Sequence, residues 1–238
     1  MRGTSSRLLM SVARTLRLTT CSLLLFVCVS SQAQQTDISR YSLYTGFDYM
    51  LSPSRNLTER GMDVDFGVTL KPWLAVGGDV AFMGNDIFGG GGTINGSETV
   101  YAPLVDPYVP ASSIHVPFKS TTITFAVGTQ FYLRKWTKVT FFARPGLGGI
   151  HESAALTFPP ELEGLFTEIL KVPVPSSQQT STTWFVGVGG GFDLNLSKQI
   201  ALRFSADWVN THLFSNLLTD RQNYARLTVG PVFHWGKF

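Results

Sequence analysis

The sequence predicts an all-β fold, a closed eight-stranded antiparallel barrel that crosses a membrane with its strands. Three observations predict it. Eight stretches alternate apolar and polar residues with a period of two, which is the period of a strand. The connections between them alternate between very short and long. Bulky apolar side chains collect on one face of these stretches, and glycines and charges on the other.

The first element is not part of the fold. Residues 1–33 carry Arg2, Arg7, Arg14 and Arg17, then the apolar run "CSLLLFVCV" at 21–29, then Ser31 and Ala33 in the small positions a signal peptidase reads. The run is too short to span a bilayer as a helix. This segment reads as a signal peptide, cleaved on secretion, with the barrel domain over 34–238. Cleavage removes both cysteines, Cys21 and Cys28, and four of the 19 basic residues. The 15 that remain face 16 acids, a net charge of −1, so nucleic-acid binding has no electrostatic support. With only 15% of its residues charged and 44% hydrophobic, the chain is also short of charge for a water-exposed surface.

The strands follow at 41–51, 62–71, 74–83, 121–134, 139–150, 182–196, 200–211 and 224–235, close to the roughly nine to eleven residues of a tilted membrane-crossing strand. After the signal, no apolar run reaches the roughly 18 residues of a transmembrane helix. Three connections are tight: "KPW", "KWTK" and "SKQ". The other four are longer, about ten residues from Ser52, about 37 from Gly84, about 31 from His151 and about a dozen from His212. With an even strand number, both termini and the tight turns fall on one side and the long loops on the other.

Orientation follows from size. Met62, Val64, Phe66, Val68 and Leu70, or Ile123, Phe125, Val127, Phe131 and Leu133, are too large to converge inside a barrel of eight strands, whose interior side chains just fill. They therefore face lipid. The stretch "WFVGVGGGFDLNL" at 184–196 shows the bare face: Gly187, Gly189, Gly191 and Asp193 turn inward. No charge falls on the lipid face, where a Lys or Arg costs about 2–4 kcal/mol at mid-membrane. Trp73, Trp136 and Trp235 lie near one set of strand ends and Trp184 and Trp208 near the other, as two aromatic membrane girdles. A soluble barrel with an apolar cavity is the alternative that the size argument disfavours. Pro145 and Pro231 interrupt strand interiors and predict local bulges.

On strand count, alternation, loop asymmetry and a C-terminal aromatic, Phe238, the sequence resembles the OmpA/OmpX-like family of eight-stranded outer-membrane barrels. The resemblance implies the outer membrane of a Gram-negative-type bacterium, with outer-membrane lipid around the barrel and periplasmic turns. It implies assembly through the barrel assembly machinery, with Phe238 as the assembly signal. It also implies a structural or surface-interaction role, without enzymatic activity, in which the long outer loops meet an extracellular partner. Trp235 and Phe233 are out of step with Phe238, a departure from the family's usual ending.

The inward charges are the candidate site: Asp48, Asp65, Asp79, Asp193 and Asp207 with Arg144, Arg203 and Arg226. Buried charge needs a partner, so ion pairs are expected to plug the lumen; a small-solute pore lined by the same groups is the alternative. A second alternative is a lipid A-modifying hydrolase. His151 and Ser153 in "IHESA" share a strand face as in outer-membrane lipid A deacylases, with Glu161, Glu163 or Glu168 as the third member of an acyl-transfer triad, although Ala154 stands where that family has Asn. The glycine runs at 89–92 and 186–192 do not open a helix after a strand, so no nucleotide cofactor is expected. His115, His212 and His234 lie in unrelated stretches, so no metal site is expected. In the third long loop, Leu162, Leu165, Phe166, Ile169 and Leu170 have helical spacing, predicting a short amphipathic helix over 161–171, read as a cap on the barrel with a place on the outer leaflet or against a partner as the alternatives.

Overall fold

The computed structural model describes residues 38–85, 91–171, 173–219 and 222–237; the signal at 1–33 and Phe238 lie outside the described residues. Its strands are β1 (Ser39–Ser52), β2 (Leu57–Lys71), β3 (Leu74–Gly84), β4 (Thr93–Asn95), β5 (His115–Leu133), β6 (Val139–Leu156), β7 (Gln178–Asn195), β8 (Ile200–Thr211) and β9 (Gln222–Lys237). β4 is a three-residue flap on the outer end of β5. The other eight pair antiparallel with their neighbours, β3 with β5 across the flap and β1 with β9 at the seam, where Ser39 faces Lys237. The ring therefore has no free edge, the condition for a sheet in lipid.

The faces sort as the size argument requires. Met62 (62% exposed), Phe125 (58%), Val127 (60%) and Trp184 (72%) lie on the outside, whereas Asp48, Glu152 and Tyr44 are almost wholly buried. The inward face is bulkier than its glycines suggest, however. Tyr44, Tyr132, Phe142, Phe185 and Tyr224 also point into the barrel and are buried there.

Three local expectations are corrected. The first outer connection is four residues, not about ten, because β1 and β2 stay paired out to Ser52 and Leu57 and close through a 3-10 turn, Pro53–Arg55. Next, β5, β6 and β7 have 19, 18 and 18 residues, well beyond the membrane-crossing length, so their outer ends stand above the lipid. Finally, the two prolines cause no bulge. Gly128 pairs with Gly146 and Phe131 with Ala143 in one register, with pairing dropped only opposite Pro145 and its neighbour; Tyr44–Val232 and Phe47–Val229 likewise bracket Pro231. The missing N–H removes a bond on one side while the other strand, paired through Pro145–Val188 or Leu202–Pro231, holds the register.

Above the lipid the long loops fold inward. They carry two short helices, α1 (Ala102–Val105) and α2 (Pro160–Gly164), the latter continued by a π-helical stretch, Leu165–Ile169. Val105 from the second long loop, Leu162, Leu165 and Phe166 from the third, and Leu213, Phe214 and Leu217 from the last join Met50, Met83, Ile150, Phe185 and Val209 of the barrel wall in one buried apolar cluster. The loop helix thus caps the barrel, with Leu162, Leu165 and Phe166 turned down and Ile169 left exposed. The second long loop is partly core: Ile94 and Val105 are buried in the cap.

Candidate functional site

The lumen below the cap is a stack of three arginines, each presented by a wall strand. Arg203 on β8 faces its register partner Asp193 on β7 and holds it with both ends of the guanidinium, Nε to Oδ1 at 2.8 Å and Nη2 to Oδ2 at 3.0 Å. Its guanidinium lies over the Phe142 ring, 4.5 Å from the centroid, and its Nη1 is 3.6 Å from Asp65. Asp65 also accepts from Gln130 Nε2 at 2.9 Å. Arg144 on β6 reaches across to Asp207, donating from Nε at 2.8 Å and again from Nη2, and to Asp65 at 3.3 Å. Arg226 on β9 is shared three ways: it donates to Asp48 at 2.5 Å and Asp79 at 2.9 Å, and its Nη2 lies 2.8 Å from Asp63.

All eight predicted lumen charges meet in this network. Asp63 was missed, although it shares the face of Asp65 by parity alone. The arrangement follows from chemistry: a guanidinium presents five donors in a rigid fork, so one arginine can serve several carboxylates that curve around it. The glycines supply the room. A Cβ at Gly189 would lie 1.8 Å from Asp207 Oδ1, so only glycine lets that carboxylate reach Arg144. A void of about 50 Å3, bordered by Asp79, Arg144, Asp207, Arg226 and Gly187, remains in the stack, room for water but for little more.

A second charged cluster sits higher, inside the cap, and sequence reasoning missed all of it. Arg55, from the first outer turn, folds inward and donates to Glu152 through Nη1 and Nη2, both at 2.9 Å, and to the Tyr224 hydroxyl. Its guanidinium lies over the Phe118 ring at 5.6 Å and the Tyr224 ring at 5.4 Å. Burial opposes the charge on Arg55, yet the Glu152 carboxylate, Tyr224 and Glu59 together hold its pKa above the usual arginine value. Glu59 accepts from Thr122 at 3.0 Å and from Ser120. The only sequence signal for Arg55 was a charged residue in a turn, which is ordinarily solvated.

His151 and Ser153 face outward on β6, between the inward-facing Ile150, Glu152 and Ala154. His151 Nδ1 is 2.6 Å from Thr182 Oγ1, and the intervening Glu152 is committed to Arg55 inside the barrel. Among the described residues no ion pair joins His151 to a carboxylate. Nor do three His, Cys, Asp or Glu residues gather as a metal site among them. Of the glycine runs, 186–192 lies within β7, and 89–90 fall outside the described residues. The five tryptophans all lie exposed on the outer wall, with Trp73, Trp136 and Trp235 at the tight-turn end and Trp184 and Trp208 toward the capped end. Among the described residues no helix is long and apolar enough to cross a membrane.

Comparison with known proteins places this geometry among membrane barrels. The family described as the outer membrane protein beta-barrel domain matches residues 19–233. No protein of curated function matches the sequence. Among solved structures, the chain is similar to the outer membrane protein OprG of Pseudomonas aeruginosa, at 10% identity and a TM-score of 0.53, covering 86% of this chain and 100% of that one. It is also similar to Neisserial surface protein A, at 11% identity and a TM-score of 0.51, covering 83% and 98%. At such identities the likeness is one of fold.

Proposed function

The chain belongs to the outer membrane protein beta-barrel domain family, and from that premise we propose that it is a closed, non-enzymatic outer-membrane barrel that contributes to the membrane's structure and presents its folded loop cap to an extracellular partner. It is exported by the signal at 1–33 and inserted by the barrel assembly machinery through Phe238. The observation that carries this reading is the lumen: three guanidiniums linked to six aspartates, with an apolar cap above them. Desolvated charges of this kind are held because each has a partner, and separating them to admit solute would strand several at once. The contact role draws support from the exposed side of the cap, where Tyr108 and Ile169 stand out beside an open groove of about 590 Å3 lined by Val109, His115, Leu165 and Glu168. Exposed apolar residues gathered beside a groove are common at interaction sites.

Conductance tests the closed lumen. Protein refolded into a planar bilayer is expected to show no discrete channel events. Regular events at millimolar salt would replace this reading by the small-solute pore. The hydrolase alternative gains no support from the outward pair His151 and Ser153, because the His151 ring meets the Thr182 hydroxyl rather than a carboxylate.

A further inference from the structure

The tight-turn end of the barrel has a charge pattern that neither the lumen nor the cap explains. Arg40, Lys71, Lys135, Lys138, Lys198 and Lys237 ring this rim, and all six are exposed. Every tight turn and both ends of the seam contribute at least one. The tight turns at 72–73, 134–138 and 196–199 contain no acidic residue, and Asp193, on the strand that leads into the third, is buried against Arg203. The opposite end is mixed, with Glu98, Asp106, Glu163 and Glu168 beside Lys119 and Lys171.

A ring of one sign repels itself and is favoured only where counter-charge is near. The depth of these cations says where that counter-charge lies. Lys71 stands over the Trp73 ring, 5.6 Å from its centroid, Lys135 over Trp136 at 5.8 Å, and Arg40 over Tyr41 at 5.9 Å. Trp73 and Trp136 are each 47% exposed and belong to the lipid-facing girdle, so their cations sit at the level of headgroups rather than out in the periplasm.

We propose that this periplasmic rim binds the phosphate groups of anionic phospholipids in the inner leaflet of the outer membrane. Lysine and arginine at headgroup depth attract anionic lipid, and the aromatic rings beneath hold the acyl-chain boundary in place. The inference rests on the outer-membrane reading above and on the periplasmic placement of the tight turns.

The test uses the refolded barrel with Trp184 and Trp208 replaced by Phe, so that fluorescence reports the rim tryptophans. Quenching is compared in vesicles containing brominated phosphatidylglycerol or brominated phosphatidylcholine. The expected result is a relative affinity of about three- to tenfold for phosphatidylglycerol, falling toward one in 0.5 M NaCl, as headgroup attraction is screened. The variant R40Q/K71Q/K135Q should lose the preference, and R60Q/K119Q, on the outer wall, should keep it. Equal affinity for both lipids, or a preference that survives the rim substitutions, overturns the proposal. So does pelleting with purified peptidoglycan without lipid preference, which would assign the rim to an anionic polymer. Where the triple variant does not fold, the salt titration of the parent protein decides. Failure of the barrel reading itself would appear separately, as unchanged gel migration on boiling.

Discussion

An arginine shared by several buried carboxylates is the residue-scale motif on which the lumen depends. Arg226 meets Asp48, Asp63 and Asp79 at 2.5–2.9 Å, and all but Asp79 are almost wholly buried. Removing one member of a buried charge network leaves the others unpaired, which costs about 3–5 kcal/mol. Arg226→Leu should therefore lower the unfolding free energy of the vesicle-inserted barrel, read from its urea midpoint, by an amount of that order, more than Arg226→Lys, which keeps the charge but not the fork. An unchanged midpoint in Arg226→Leu would mean that the three aspartates hold no charge needing compensation. At this scale parity was enough to read eight lumen charges from the sequence. Arg55 was beyond it: nothing in "SPSRN" says that a turn residue bends inward to Glu152, 97 positions away.

Strands record the medium they face, and β5 records a change of medium along one element. From Thr121 to Phe131 its large apolar residues, Ile123, Phe125, Val127 and Phe131, face out. Above Thr121 the inward parity is unchanged but hydropathy inverts: Val116 and Phe118 are buried, and His115 and Lys119 are outside. That inversion marks where lipid gives way to water on the outside and lumen to cap on the inside. It is also why alternation alone ended this strand at 121 and its neighbour at 150. The belt predicts a depth dependence. Val127→Arg, in mid-belt, should destabilise the inserted barrel by about 2–4 kcal/mol, and Leu70→Arg, beside the tight-turn end, by only about 0–1 kcal/mol. Unfolding titrations of the two variants in vesicles measure the difference. Equal effects would mean that the belt is not in hydrocarbon.

At the scale of the molecule, two cores are stacked in one cylinder, an ionic one within the lipid belt and an apolar one above it. They share few residues, so the cap should be separable from the barrel. Replacing 157–177 by a short turn removes Leu162, Leu165 and Phe166, each contributing about 1.5–3 kcal/mol when fully buried. The shortened protein is expected to keep its fast migration on unboiled gels, because closure and the arginine stack lie below the cut. Its remaining loops should become sensitive to protease added outside the cell. Loss of the fast-migrating form would show that the cap is needed for closure.

Fold class, strand count and the direction of each face could be read from the chain because they are local: a residue and the one two places on meet the same solvent, and lipid, water and packed interior leave different residue types there. The partners within each space could not. Whether Arg226 gathers three aspartates, whether Arg55 turns inward, and whether loops become a core depend on the stagger and curvature of a closed sheet, which bring together residues from strands far apart in sequence. Proline register shows the same division. Pro145 and Pro231 announce a lost hydrogen bond by their chemistry, but only closure, with a second strand holding each from the other side, decided that the register would survive without a bulge.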